Sequence, residues 1–173
     1  MNSTILRLYQ LAVLICALLF QQCNSNDTTF ENREWRDYLG GPGRNHYSTL
    51  TQITPDNVGQ LKLAWEYHTG DSGQIQCNPL VIDGVLYGMT ATVQPFAVDA
   101  ATGRELWRVR DSAGTTWYGT ARGVSYWEHG DDKRILYTRE EWLYALDATT
   151  GETIPSFGEN GRVSLRTGLG PTA

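Results

Sequence analysis

The side chains able to do chemistry in this chain are few, and most stand where structure alone explains them. His46, His68 and His129 have no ligand spacing and no partner motif. The acidic pairs Asp131-Asp132 and Glu140-Glu141 sit where hairpin loops belong and read as solvated faces rather than as a metal site. No Cys-x-x-Cys-His occurs, so this stretch encodes no covalent haem. Of the three cysteines, Cys16 falls in an apolar leader, Cys23 directly follows it and Cys77 stands alone, so no disulfide framework is implied. Four polar residues lie close to strand starts: Gln76, ahead of Asn78-Pro79, and then Tyr118, Thr120 and Arg122, the last followed by Gly123. Taken alone, Arg122 is a solvent-facing arginine and Gln76 an exposed strand residue. Their chemistry is general: a guanidinium suits a carboxylate, and an amide donates and accepts without adding charge.

The elements that would position them are announced by a repeated phrase. Phe96-Ala97-Val98-Asp99-Ala100-Ala101-Thr102-Gly103-Arg104-Glu105-Leu106-Trp107 returns as Tyr144-Ala145-Leu146-Asp147-Ala148-Thr149-Thr150-Gly151-Glu152-Thr153, with Asp99 and Asp147 separated by 48 residues. Short alternating strands closed by an Asp-x-x-Thr-Gly turn, at a period near fifty, are the sequence form of a β-propeller blade. Phe96, Val98 and Leu106 share one parity and Ala97 and Asp99 the other, which predicts a half-buried strand. Asp99 and Thr102 can fold their oxygens onto backbone amides, and Gly103 can take the positive φ that reverses the chain. Upstream, Asp83-Gly84 between two apolar runs predicts a two-residue type I′ hairpin. One four-stranded meander is therefore expected over about residues 77–110. The second begins near Arg122 and runs through Ile135-Leu136-Tyr137, with Tyr87 to Phe96 two residues longer than Tyr137 to Tyr144. Thr54-Pro55-Asp56-Asn57 reads as an N-cap opening a short helix toward Leu61, and Leu61 to Tyr67 as an outer or closing strand. Trp107 is expected over the glycine turn of a neighbouring blade, while Pro155 takes its place in the second copy.

Composition narrows the partners. Fourteen basic against nineteen acidic residues give a net charge of −5, with no Lys/Arg run to track a phosphate backbone, so nucleic acid is excluded as an expected partner. Arg7 precedes an apolar run ending in Leu11 to Phe20, too short to span ~30 Å of hydrocarbon but suited to a secretory signal. Residues 1–23 are read as that signal, with Cys23 resembling a lipoprotein acceptor although Gln22 replaces the usual small residue, and residues 24–34 as a linker. An exported protein follows, in the periplasm or outer membrane and held there through its signal or a lipid anchor. A propeller needs at least four blades, and about 150 residues supply little more than two. The chain is therefore expected to be the N-terminal part of a longer protein, with a new strand starting at Val163-Ser164-Leu165.

Further residues carry a family resemblance. Trp35-x-x-Tyr38, Tyr47-Ser48-x-Leu50-x-x-Ile53-Thr54-x-x-Asn57-Val58-x-x-Leu61 and Leu63-Ala64-Trp65-x-Tyr67-x-Thr69-Gly70 resemble the entry of pyrroloquinoline quinone (PQQ) dependent dehydrogenases, and the phrase at 97–107 resembles their blade-docking motif. The likeness covers Trp35 to Leu165. It implies an all-β, eight-bladed β-propeller of quinoprotein type, of which this chain holds about the first two blades. Gln76-Cys77-Asn78-Pro79 and Thr120-Ala121-Arg122-Gly123-Val124-Ser125-Tyr126 follow the spacing of the glucose dehydrogenase branch. Alcohol-oxidising relatives carry two adjacent cysteines where Thr116-Trp117 stands here, which leans toward sugars.

The resemblance implies a cofactor site. PQQ is a planar orthoquinone with three carboxylates, and Arg122 matches the position of an arginine beside it; Gln76 matches a glutamate or glutamine near the ring. Tyr118 and Thr120 occupy the approach. The family also uses calcium to polarise the quinone carbonyl and an acid or histidine to take the substrate's hydroxyl proton, with ligands and base expected outside this chain. The implied function is oxidation of a sugar, polyol or alcohol, with electrons passing to a quinone or similar acceptor. The alternative is a non-catalytic propeller scaffold for outer-membrane protein assembly, which has no chemical reason to keep Gln76 and Arg122.

Overall fold

Two sheets of the same design stand side by side. A computed structural model describes residues 33–110 and 119–170; the leader, Cys23 and Tyr118 lie outside them. The first sheet runs β1 (Leu80–Ile82), β2 (Val85–Met89), β3 (Pro95–Asp99) and β4 (Glu105–Arg108), antiparallel in chain order. The second repeats the order with β5 (Ser125–His129), β6 (Asp132–Arg139), β7 (Trp142–Asp147) and β8 (Arg162–Ser164). These are two blades of a propeller. The strand expected near Val163 is thus the outermost strand of the second blade, paired Leu143 to Val163.

Local chemistry sets the turns. Asp83 and Gly84 have φ of 50° and 75°, the two left-handed centres of a type I′ hairpin. Asp131 and Glu140-Glu141 occupy the β5–β6 and β6–β7 turns, as their pattern predicts. Asp99 Oδ1 accepts from the Thr102 hydroxyl at 2.8 Å and the amides of Thr102 and Ala101 at 2.9 and 3.1 Å. These bonds hold its carboxyl below the usual range, the Thr102 hydroxyl contributing most. Asp147 Oδ1 accepts from Thr149 and Thr150 amides in the same way, and each turn is closed by a glycine amide donating to the aspartate carbonyl at 2.8 Å.

Two expectations are corrected. β3 is buried on both faces, with Ala97 and Val98 each 0% exposed, because the first blade lies between the second blade and the segment that precedes it. Leu106 is 40% exposed, since a register shift at Ala97/Val98 turns Trp107 inward instead. The helix expected from Thr54 is only a 3-10 turn over Val58–Gln60. Its order comes from Asn57, whose Oδ1 accepts from the Thr54 amide at 2.7 Å and whose amide donates to the Gln52 carbonyl at 2.8 Å.

Between the blades, Trp107 packs against the Gly151 turn. A Cβ on Gly151 would lie 2.6 Å from the indole, and Trp107 Nε1 donates to the Ala148 carbonyl at 2.9 Å. Trp65 repeats the contact one step earlier, 2.5 Å from a Cβ on Gly103 and donating to the Ala100 carbonyl at 3.2 Å. Both tryptophans therefore dock blades as well as filling core. Pro155 is exposed, and the chain instead loops through 155–161 before β8. Leu80, Ile82, Tyr87, Met89, Ile135, Tyr137 and Leu146 complete a core shared by both sheets.

Residues 61–67 form no ladder among the described residues, but from Trp65 the segment alternates as a strand would. Trp65, Tyr67, Thr69 and Asp71 are half-buried, while Glu66, His68 and Gly70 face outward. Tyr67 donates to Glu105 Oε2 at 2.6 Å and packs its ring 4.8 Å from Phe96. Burial first, then that hydrogen bond, pushes its hydroxyl up to about 12. At the opposite end of the sheets Arg36 joins Glu34, Glu128 and Asp83 at 2.6, 3.0 and 3.5 Å, and Lys133 meets Asp83 at 2.9 Å. Each such half-exposed pair is worth roughly 0.2–1 kcal/mol, against roughly 4–6 kcal/mol for burying an aromatic of 150–250 Å². The indole dominates the joint. Replacing Gly151 by Ala adds left-handed strain of roughly 1–2 kcal/mol and overpacking of roughly 1–3 kcal/mol. The full-length protein carrying Gly151→Ala is expected to melt several degrees lower, whereas Arg36→Ala shifts the midpoint by less than half as much and only at low salt.

Candidate functional site

The segments carrying the candidate residues meet at one end of the blades, opposite the Asp83-Gly84 hairpin. Asn78 and Gly123 form a parallel bridge, with the Asn78 amide donating to the Arg122 carbonyl at 2.9 Å. The approach is close enough to require glycine: Gly123 has φ of +136°, and a Cβ there would lie 2.7 Å from the Asn78 carbonyl oxygen. This seam sets the Arg122 backbone against Asn78, two residues after Gln76. Arg122 is exposed, its guanidinium free of hydrogen bonds and ion pairs among the described residues. Gln76 is half-buried and Thr120 exposed nearby in sequence. Tyr118 lies outside the described residues.

Beside the seam Cys77 is half-buried, and burial pushes its thiol up. Four residues that the sequence reading did not single out tie the same end together. Asp71 Oδ2 accepts from the Thr92 hydroxyl at 2.7 Å and the Thr92 amide at 2.9 Å, and Thr90 and Thr92 hydroxyls are 3.2 Å apart. Burial opposes charge on Asp71, but Thr69, Thr92 and Thr90 outweigh it and hold the carboxyl well below its ordinary value. Arg108 donates to the Thr69 carbonyl and, at 3.2 Å, to Gln94 Oε1. Signals existed for these: Asp71 ends the alternating row begun by Trp65, and Thr90 to Gln94 is the longer loop of the first blade. Within that loop Val93 is buried with φ of +57°, strain of roughly 1–2 kcal/mol for a β-branched residue.

The donor set suits a flat, multiply anionic ring. One free guanidinium, one neutral amide and one hydroxyl can meet carboxylates and a carbonyl, and among Gln76, Thr120 and Arg122 there is no acid to repel them. A cavity of about 270 Å³ lies between the preceding segment and the first sheet, walled by Trp65, Tyr67, Ile75, Cys77, Leu86 and Phe96. Its mostly apolar lining does not suit such a ring. Among the described residues no group of three or more His, Cys, Asp or Glu could hold a metal, so none is named as a calcium ligand.

The family described as the PQQ glucose/ethanol/alcohol dehydrogenase β-propeller domain matches residues 35–173. The chain belongs to this family. It is 31% identical over 156 residues to the glycerol dehydrogenase large subunit of Gluconobacter thailandicus, covering 79% of this chain and 21% of that protein. It is also 31% identical over 163 residues to quinoprotein glucose dehydrogenase A of Acinetobacter calcoaceticus, covering 77% of this chain and 20% of that protein. The structure of a quinohemoprotein alcohol dehydrogenase from Pseudomonas putida HK5 superposes with a TM-score of 0.65 at 28% identity, over 80% of this chain and 20% of that one. The chain thus spans about a fifth of the length of the relatives it matches.

The geometry yields one direct test here. A buried thiol with a raised pKa holds little thiolate, so Cys77 in the folded full-length protein is expected to react with a maleimide much more slowly at pH 7.5 than after unfolding. Equal rates would place Cys77 on an open surface.

Proposed function

We propose that this chain is part of an exported PQQ-dependent oxidoreductase acting on a sugar, polyol or alcohol and passing electrons to a quinone or similar acceptor. The observation that supports the reading is the Asn78–Gly123 seam, which sets the Arg122 backbone against Asn78, two residues after Gln76, in a chain of this family. Arg122 would bind a cofactor carboxylate by a charge-assisted bond worth roughly 1.5–3 kcal/mol. Gln76 would donate to or accept from the ring edge, and Thr120 would add a hydroxyl. Held by Arg122, Gln76 and Thr120, PQQ would supply a two-electron acceptor for the hydride from the carbon bearing the substrate hydroxyl, the hydroxyl proton going to a base. No residue described here is assigned as that base.

The sugar preference rests on Thr116-Trp117 standing where alcohol-oxidising relatives carry paired cysteines, while relatives named for glycerol, for alcohol and for glucose are all matched, the alcohol dehydrogenase subunit of Komagataeibacter europaeus at 38% identity. Export rests on the apolar run before Cys23, with lipid attachment at Cys23 part of the same proposal. Among the described residues no helix is long and apolar enough to cross a membrane.

Full-length apoprotein titrated with PQQ and calcium is expected to bind PQQ and then reduce a dye with aldoses or polyols. Arg122→Ala should weaken PQQ binding about ten- to a hundredfold, the equivalent of roughly 1.5–3 kcal/mol, with the apoprotein melting point nearly unchanged. Equal loss of binding and stability would make the arginine structural. Absence of PQQ binding by the unaltered protein would favour a scaffold.

A further inference from the structure

Gln76 hangs between two anchors. On one side the Asn78–Gly123 seam holds the chain two residues later. On the other side Asp71 is locked by the Thr92 amide and hydroxyl, with Thr90 bonded to Thr92 and Arg108 clamping Thr69 and Gln94. Between them residues 72–75 are exposed and make no hydrogen bond among the described residues. The placement of Gln76 therefore depends on the Asp71 end before it and on Cys77, packed against the core, and Asn78 after it.

The Asp71 end is built at a cost to the fold. Among the described residues Asp71 Oδ1 and Arg108 Nε are buried without a hydrogen-bond partner, and Val93 in the receiving loop adopts a left-handed conformation despite its branched side chain. A more stable knot would satisfy both atoms and put glycine at 93. Strain and orphaned polar atoms concentrated at one end of a sheet are expected where a geometry is being held for use. That end is the one where the Arg122 backbone meets Asn78, two residues after Gln76.

We propose that Asp71 is a positioning residue for the cofactor site: fixed by Thr92, it pre-orders the 72–77 connection so that Gln76 meets the bound ring without a further ordering penalty. This rests on the PQQ reading above. Without the clamp, the connection from Thr69 to Asn78 is loose, and binding must order it.

The test is a PQQ titration of full-length apoprotein, followed by the absorption of the bound quinone and by tryptophan quenching, alongside the apoprotein melting point. Asp71→Ala is expected to weaken PQQ about tenfold or more and to alter the bound-quinone spectrum. Adding Gln76→Ala to it should then have little further effect, because Gln76 is already displaced. If Asp71→Ala does not fold, Thr92→Val removes the hydroxyl contacts to Asp71 and Thr90 but keeps the Thr92 amide bond to Asp71, and should weaken binding several-fold, whereas Thr92→Ser, which keeps the hydroxyl, should retain near-normal binding. A melting-point change with PQQ affinity within twofold and an unchanged spectrum would overturn the proposal, as would a full additional loss from Gln76→Ala. If the unaltered protein binds no PQQ, the functional reading itself falls, and this inference with it.

Discussion

An indole pressed against a glycine turn is the contact on which the two blades depend. Trp107 reaches the turn of the second blade closely enough that any side chain at 151 would collide with it, and its N–H fixes the direction by bonding the Ala148 carbonyl. The Asp147 carboxylate, by ordering the amides that follow it, prepares the surface the indole meets. One short phrase thus encodes both halves of the joint: an Asp-x-x-Thr-Gly turn to be packed upon, and a tryptophan four residues later to pack on the next turn. Area decides the ranking, because burial of one indole outweighs any single half-exposed ion pair at the other end of the sheets.

Fixing the blades at their outer strands has consequences at the opposite edge. The connections entering β1 and β5 come close enough to form a bridge only Gly123 permits, and the candidate cofactor residues lie on those connections. Rigid strands thereby hold two polar segments that have few regular hydrogen bonds of their own. The same logic explains why the preceding segment, with no ladder among the described residues, still has a defined path: Trp65, Tyr67, Thr69 and Asp71 each take a partner on the first blade.

Much of this was legible in the residues. Asp83-Gly84 specified its hairpin because two left-handed centres leave few alternatives, and the repeated phrase specified the blades because each residue in it has a distinct local task. Burial of β3 on both faces was not legible, since alternation reports what a strand can do and not how many layers cover it. The helix expected from Thr54 is a short turn because its order lies with Asn57, three residues on, whose side chain bonds the Thr54 amide and the Gln52 carbonyl, and the turn ends after Val58–Gln60. At the candidate site, Gln76 and Arg122 were found through family spacing, whereas Asp71, Thr90, Thr92 and Arg108 were missed because their partners are distant in sequence and no local pattern links them.

The central claim is that close contact at Asn78–Gly123 places Gln76 and Arg122 on one cofactor, and it is tested most directly by Gly123→Ala in the full-length protein. The account predicts that the methyl group pries the seam apart, so that PQQ affinity in an equilibrium titration falls at least tenfold while circular dichroism still shows folded blades. PQQ affinity equal to that of the unaltered protein, with the variant fully folded, would contradict it.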